Sequence, residues 1–211
     1  SSGIGKATAI AFQSAGAKVA ICARNEFKLM ETKMQLDSLG ERSVLAKVTD
    51  LANSEDINRL VDYVEADLGG IDVLVNNSGG PPPGTHDQIE DEKWLHAFET
   101  TLRSSIRITN KVLPSMKKMR SGRIINLSSY SVKQPMNSMI LSNSIRLAAL
   151  GWSKTLSNEL ARFNILVNTI CTGWTKTNRV EALLENRATE RGASRAEIEK
   201  SITSSIPLGR M

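Results

Sequence analysis

The sequence predicts a single α/β domain built on a doubly wound sheet of parallel strands, with helices on both faces. Three observations carry this. Short apolar runs, among them Val19–Ala23, Val73–Val75, Ile124–Leu127 and Ile165–Cys171, alternate with longer stretches of helical spacing and mixed charge. Several runs are apolar throughout, as strands covered on both faces are. Their carboxyl ends carry the polar and glycine residues, Thr49-Asp50, Asn76-Asn77-Ser78-Gly79-Gly80 and Ser128-Ser129, and in open α/β sheets that end is where ligands sit.

The size suits that architecture. The 211 residues are 40% hydrophobic and 23% charged, enough for one substantial domain without need of a second. The formal charge of +5 comes from 27 basic and 22 acidic residues spread along the chain, the pattern of a solvated surface. Three tryptophans, two tyrosines and four phenylalanines do not make a stacking platform, so nucleic acid is not an expected partner. No apolar run approaches the roughly 20 residues of a membrane span, and the start lacks a charged-then-apolar leader, which favours a cytoplasmic protein with no membrane partner. Cys22 and Cys171 stand in apolar surroundings without ligand spacing, and neither His86 nor His96 has a partner at metal spacing, so no metal site is expected.

In chain order, Ser1-Ser2-Gly3-Ile4-Gly5 leads into helical spacing through Ile10, Ala11 and Phe12. Two close glycines at a helix start let the backbone approach a pyrophosphate, with the helix N-terminus supplying amide donors. The run 17–23 reads as a buried strand ending at Arg24. In dinucleotide folds this strand end meets the adenosine ribose, and with no acid before Arg24, a 2′-phosphate is the better match, so NADP is expected ahead of NAD. A helix over 26–39 and a strand over 43–48 follow, closing on Thr49-Asp50-Leu51. There Asp50 either faces a ligand or belongs to the loop that starts the next helix, 54–68.

The strand Ile71–Val75 ends in Asn76-Asn77-Ser78-Gly79, amides suited to bracing neighbouring strands and a glycine where a ribose can pass close to backbone. After Pro81-Pro82-Pro83-Gly84, one long helix is expected over 91–118, with Trp94, Phe98, Leu102, Ile106 and Val112 on its apolar face. The strand through Ile124, Ile125 and Leu127 delivers Ser129 and Tyr130 at its end. Ser142 and Arg146, at i and i+4 of the next helix, share one face and converge with Ser129 on one cleft. The strand 165–171 ends in Thr172-Gly173-Trp174-Thr175-Lys176-Thr177. The remainder, 178–204, is charged and helical, with a cap at Ser194 before Glu197.

Together these motifs resemble the short-chain dehydrogenase/reductase family, in its 3-oxoacyl-acyl-carrier-protein reductase form, over essentially the whole chain. The resemblance implies a Rossmann fold, a nicotinamide cofactor and hydride transfer between it and a carbonyl or alcohol. Cofactor contacts then fall on Ser2, Gly3, Ile4, Gly5, Arg24, Asp50, Leu51, Asn77, Ser78, Gly79, Arg146, Gly173, Thr175 and Thr177, and the catalytic positions on Ser129, Ser142, Arg146 and, by proximity, Tyr130. In the family the strand-end serine is followed by a tyrosine and a lysine at the offsets that here fall on Ser142 and Arg146, and an asparagine stands at Thr101. A serine is too short to reach where a tyrosine's hydroxyl sits, and a guanidinium stays protonated and cannot relay a proton.

The expected function is therefore an NAD(P)-dependent oxidoreductase with a divergent proton donor. The alternative is a dinucleotide-binding protein without turnover, acting as a cofactor sensor or an inactive oligomer partner. The resemblance also implies a homodimer or homotetramer, a mobile substrate cover over 178–204, and a sheet whose first and last strands lie outside this span. Without the central strand, two sheet edges are exposed, and this span by itself is expected to aggregate.

Overall fold

The computed structural model describes residues 1–40 and 42–211. Five parallel strands, β1 (Ala20–Ala23), β2 (Leu45–Val48), β3 (Val73–Asn76), β4 (Gly122–Ser129) and β5 (Ile165–Thr172), alternate with helices. The helices are α1 (Gly3–Ser14), α2 (Glu26–Asp37), α3 (Ser54–Leu68), α4 (Asp91–Ala97), α5 (Ser104–Met119), α6 (Ile140–Leu160), α7 (Asn178–Arg191) and α8 (Arg195–Thr203). This is the expected α/β architecture.

The sheet falls into two parts, with the exposed edges expected of a sheet that lacks its central strand. β1 pairs only with β2, and β3, β4 and β5 pair in that order, so β1 and β3 each present an edge. The reason is simple: among the described residues no strand lies between β1 and β3 to join them.

Local chemistry explains the helix starts. Asn25 accepts from the Lys28 N–H at 2.9 Å to start α2, and Asn53 accepts from the Glu55 N–H at 2.8 Å to start α3. A reciprocal Ser194–Glu197 capping box opens α8, as the sequence indicated. α3 ends at Gly69 with φ of +81°, a left-handed cap that a side chain would disfavour.

One expectation fails in an informative way. The stretch 91–118 is two helices, α4 and α5, joined by a π-helical segment, Phe98–Arg103. The wider turn rotates the apolar stripe, so Leu102 is buried while Phe98 is 39% exposed.

The main core packs Leu74, Ile124, Ile165 and Val167 of the three-stranded sheet against Val61, Val112, Met116, Leu156 and Leu160 from helices. Through it runs a row of buried polar groups. Asn76, Asn126 and Thr169 are in lateral register on β3, β4 and β5. The Asn76 amide donates to Asn126 Oδ1 at 2.8 Å, and the Asn126 amide donates to Ser153 Oγ on α6 at 2.9 Å, which Thr169 Oγ1 also meets at 2.9 Å. The sequence anticipated amides as braces after β3, and Asn76 has that role.

Asn126→Ala leaves the Asn76 amide and the Ser153 hydroxyl short of a partner in the core. Removing it should cost about 2–4 kcal/mol, since each orphaned buried group costs about 1–3 kcal/mol, read as a lower urea midpoint at unchanged m-value.

Candidate active site

Because the strands are parallel, their carboxyl ends open on one side, and there a cavity of about 1100 Å³ runs from β2 across to α7. Its walls include Ser2, Gly3 and Ile4 at the start of α1, Arg24 after β1, Asp50 and Leu51 after β2, and Asn77, Ser78 and Gly79 after β3. They continue with Ser129 and Tyr130 after β4, Ser142 and Arg146 on α6, and Gly173, Thr175 and Thr177 after β5. Of the cofactor and catalytic positions read from the sequence, only Gly5 lies behind the wall. A Cβ there would stand 2.3 Å from Asn77 Nδ2, so Gly5 lets α1 sit against the end of β3.

At the β1–β2 end, Arg24 is exposed and carried by the turn into α2. Asp50 serves both readings considered for it. It lines the cavity, and its Oδ1 accepts from the Ala52 N–H at 3.0 Å within the loop that starts α3. Beside them, packing around Cys22 pushes its thiol up to about 11.

The β4–β5 end has a different character. Ser142 is 4% exposed and Arg146 lies one turn further along the same face of α6, as the i, i+4 spacing predicts. Arg146 Nη1 donates to the Leu127 carbonyl at 3.3 Å, and burial, then the charge of Arg179, holds its guanidinium below the usual range. Ser129 Oγ accepts from the Ser131 N–H at 3.1 Å. The Tyr130 hydroxyl accepts from the Trp174 indole N–H at 3.0 Å, and the Arg187 guanidinium stacks 5.2 Å from the Trp174 ring. That acceptor bond leaves the phenol's own proton free to be donated.

Behind Arg146 lies a second cavity of about 20 Å³, bordered by Thr101 of the π-helical segment, Ser105 of α5, Asn76, Asn126 and Ser128. Thr101 Oγ1 and Ser128 Oγ are buried there without a protein partner. The space suits one water molecule, which needs about 10–15 Å³ and polar neighbours.

Several wall residues carry no obvious sequence signal. Trp174 meets Tyr130 only because β4 and β5 end in register, Ser129 opposite Thr172. Met136 and Met139 come from a loop clamped to α6 by Asn143, whose side chain exchanges two hydrogen bonds with the Met136 backbone. Arg179, two residues beyond Thr177, reaches across to the loop after β3, where Nη2 donates to the Pro81 carbonyl at 2.8 Å. A helix-start arginine beside the Gly-x-Thr-x-Thr turn was the available hint.

Glycine-led helix N-terminus, arginine at the next strand end, amide-and-glycine turn, and strand-end serine facing a helix cation together define a dinucleotide-binding α/β oxidoreductase. Comparison with known proteins gives the family. Residues 1–188 match the short chain dehydrogenase family, and the chain belongs to it. It is 35% identical over 211 residues to a Streptomyces violaceoruber protein named for ketoacyl reductase 1 of the granaticin polyketide synthase, spanning 99% of this chain and 77% of that one. With the 3-oxoacyl-[acyl-carrier-protein] reductase FabG of Haemophilus influenzae it shares 32% identity over 209 residues, 99% of this chain and 80% of the relative. A crystal structure of a point variant of the actinorhodin polyketide ketoreductase with NADPH superimposes with a TM-score of 0.94 at 33% identity, covering 99% of this chain and 80% of that chain.

Among the described residues no helix is long and apolar enough to cross a membrane, and no cluster of His, Cys, Asp or Glu could hold a metal ion.

The raised Cys22 value makes a chemical prediction. With a thiol near 11, only about one molecule in a thousand is thiolate at pH 8. Iodoacetamide should alkylate Cys22 at least about 100-fold more slowly than glutathione at pH 8, with the rate climbing as pH rises toward 11. Peptide mapping by mass spectrometry reads this directly, and fast labelling at pH 8 would contradict it.

Proposed function

We propose that this protein is an NADP-dependent carbonyl reductase of 3-oxoacyl reductase type whose proton donor differs from the family's tyrosine. The observation that carries the reading is convergence: one cavity is bordered by the α1 start, Arg24, the turn after β3, Ser129 and Arg146. Two glycines support the same reading. Gly3, at φ of +53°, has Thr177 Cγ2 3.2 Å from where a Cβ would stand, and Gly5 lets Asn77 close on α1, so the phosphate end is lined by backbone. NADPH, when bound, supplies the hydride.

The residues then divide the work. The N–H groups at the start of α1, with the helix dipole, hold the pyrophosphate, assisted by Ser2 and Ile4. Arg24 pairs with the 2′-phosphate, Asp50 and Leu51 border the adenine, and Asn77, Ser78 and Gly79 flank the ribose. Gly173, Thr175 and Thr177 line the nicotinamide side, and Arg146 reaches the ribose hydroxyls.

Ser129 donates a hydrogen bond to the substrate's carbonyl oxygen, and the charge of Arg146 stabilises the negative charge that gathers there. Ser142 extends this polar wall, though its hydroxyl is too weak an acid to protonate an alkoxide unaided. Tyr130 is the side chain assigned to give the proton. It borders the cavity, and Trp174 engages only one of its lone pairs. The relays of its usual relatives pass through a lysine amine, a step Arg146 does not perform because it stays protonated.

A single nucleotide-binding domain, cytoplasmic location and association into dimers or tetramers belong to the same reading. Leu95, Phe98 and Leu147 support the last, being 66%, 39% and 53% exposed on α4, the π-helical segment and α6.

The test follows NADPH absorbance in the whole protein with ketones, 3-oxoacyl thioesters and sugars. Ser129→Ala and Tyr130→Phe should each lower kcat by about 10²-fold or more while NADPH Kd stays within about twofold. NADPH binding with no turnover across the panel would instead favour a cofactor-binding protein without redox chemistry.

Arg24→Ala should weaken NADPH by about 10- to 100-fold, the worth of a charge-assisted phosphate contact, and leave NADH nearly unchanged. Fluorescence titration of the two cofactors measures the difference, and an equal loss for both would remove Arg24 from phosphate recognition.

A further inference from the structure

The charge balance of the cavity is uneven along its length. Among the described residues three arginines border it, Arg24, Arg146 and Arg179, against one carboxylate, Asp50. Asp50 and Arg24 both belong to the β1–β2 end. Arg146 and Arg179 have no acidic partner within salt-bridge distance among the described residues. Each gives an N–H to a main-chain carbonyl, Leu127 and Pro81 respectively, and keeps most of its five donors unspent.

The two guanidiniums are also held in place rather than left loose. Arg146 projects from α6, with the 20 Å³ cavity behind it. Arg179 lies against the backbone of Gly80: a Cβ there would stand 2.7 Å from Nη2, 2.8 Å from Cζ and 2.9 Å from Nε. The Arg179 guanidinium thus occupies the space that a side chain at Gly80 would take. Burial holds both guanidiniums below their usual range, and Arg146 additionally feels the charge of Arg179. Two like charges lining one cavity raise the energy of the free protein, and an anion bound beside them relieves it.

The reading above places the cofactor's own phosphates at the α1 start and Arg24, which leaves the unbalanced pair on the wall of the same cavity that Ser129, Tyr130 and Ser142 also line. We propose that Arg179, with the nearby charge of Arg146 adding to the attraction, receives a carboxylate carried by the substrate, making this reductase specific for keto acids over neutral ketones. The proposal rests on the reductase reading above and adds its substrate class. The planar fork of a guanidinium matches a carboxylate edge through two parallel N–H donors, and the seat on Gly80 fixes the orientation of one fork before the substrate arrives. Arg179 is then a specificity determinant: it anchors the acid, and Ser129 and Arg146 meet the carbonyl oxygen.

The test uses the whole protein loaded with NADPH, titrated with pyruvate, acetoacetate and levulinate, each beside its methyl ester, and read as quenching of the reduced nicotinamide fluorescence. At least one acid should bind about 10- to 100-fold more tightly than its ester. Arg179→Gln should abolish that preference while NADPH Kd and ester affinity stay within about twofold. Gly80→Ala, which keeps the charge and blocks only its seat, should reduce the same preference and guards against a misfolded arginine variant.

Esters and acids binding alike, or neither binding, would overturn the proposal with the reductase reading intact. So would a loss of NADPH affinity in Arg179→Gln without any change in acid preference, which would assign Arg179 to the cofactor's phosphates. Failure to bind NADPH at all overturns the reductase reading, and this proposal with it.

Discussion

The buried row from Asn76 through Asn126 and Ser153 to Thr169 governs the geometry of everything around it. It ties three parallel strands and helix α6 together one residue short of Asn77, Leu127 and Ile170. In an apolar core such a row has only one satisfied register. Sliding β4 by one residue would turn Asn126 away and bury its neighbours' polar atoms unpaired. The row therefore sets the height at which Ser129 leaves β4 and, through Ser153, the position of α6. Ser142 and Arg146 stand about three and two turns upstream of Ser153 on that helix, so the same bonds position both.

From this frame the peculiarity of the site follows. Ser129 stands at the strand end, Ser142 and Arg146 share one face of α6, and the π-helical turn at Phe98–Arg103 contributes Thr101 to the small polar cavity behind Arg146. In the reductase proposed above, an arginine there supplies charge without proton transfer, and the proton falls to another group. Tyr130 is the phenol at hand, and its partner Trp174 lies on the segment between β5 and α7. Tyr130 and the Pro81 loop are thus both tied to the chain that follows β5, through Trp174 and Arg179. The α7–α8 unit has its own small core of Leu184, Ala188, Ile198 and Ile202.

Much of this was legible in the residues. Apolar runs with polar ends located every strand, and the Gly3–Gly5 pair, Asp50, Asn77–Gly79 and the Ser129/Ser142/Arg146 spacing located the walls of the cavity. The π-helical segment was not legible as such. Its residues, Phe-Glu-Thr-Thr-Leu-Arg, have ordinary helical composition, and the widened turn arises from packing against α6 and the strand ends. The Trp174–Tyr130 bond and the Arg179 seat were invisible for a related reason: their partners are 44 and 98 residues apart in the chain.

The fold class, the direction of the strands and the end of the sheet that carries chemistry were all readable from the residues alone. They follow from local patterns, apolar runs, turn glycines and i, i+4 spacing, which act over a few residues wherever they occur. Which side chains share a space is a matter of three dimensions: that the Trp174 N–H donates to the Tyr130 oxygen, that Arg179 crosses to the Pro81 carbonyl, and that two arginines line one cavity with no acid in salt-bridge distance of either among the described residues. Such pairings depend on the register and packing of elements distant in the chain, and electrostatic consequences appear only after burial has removed the water that would otherwise screen them.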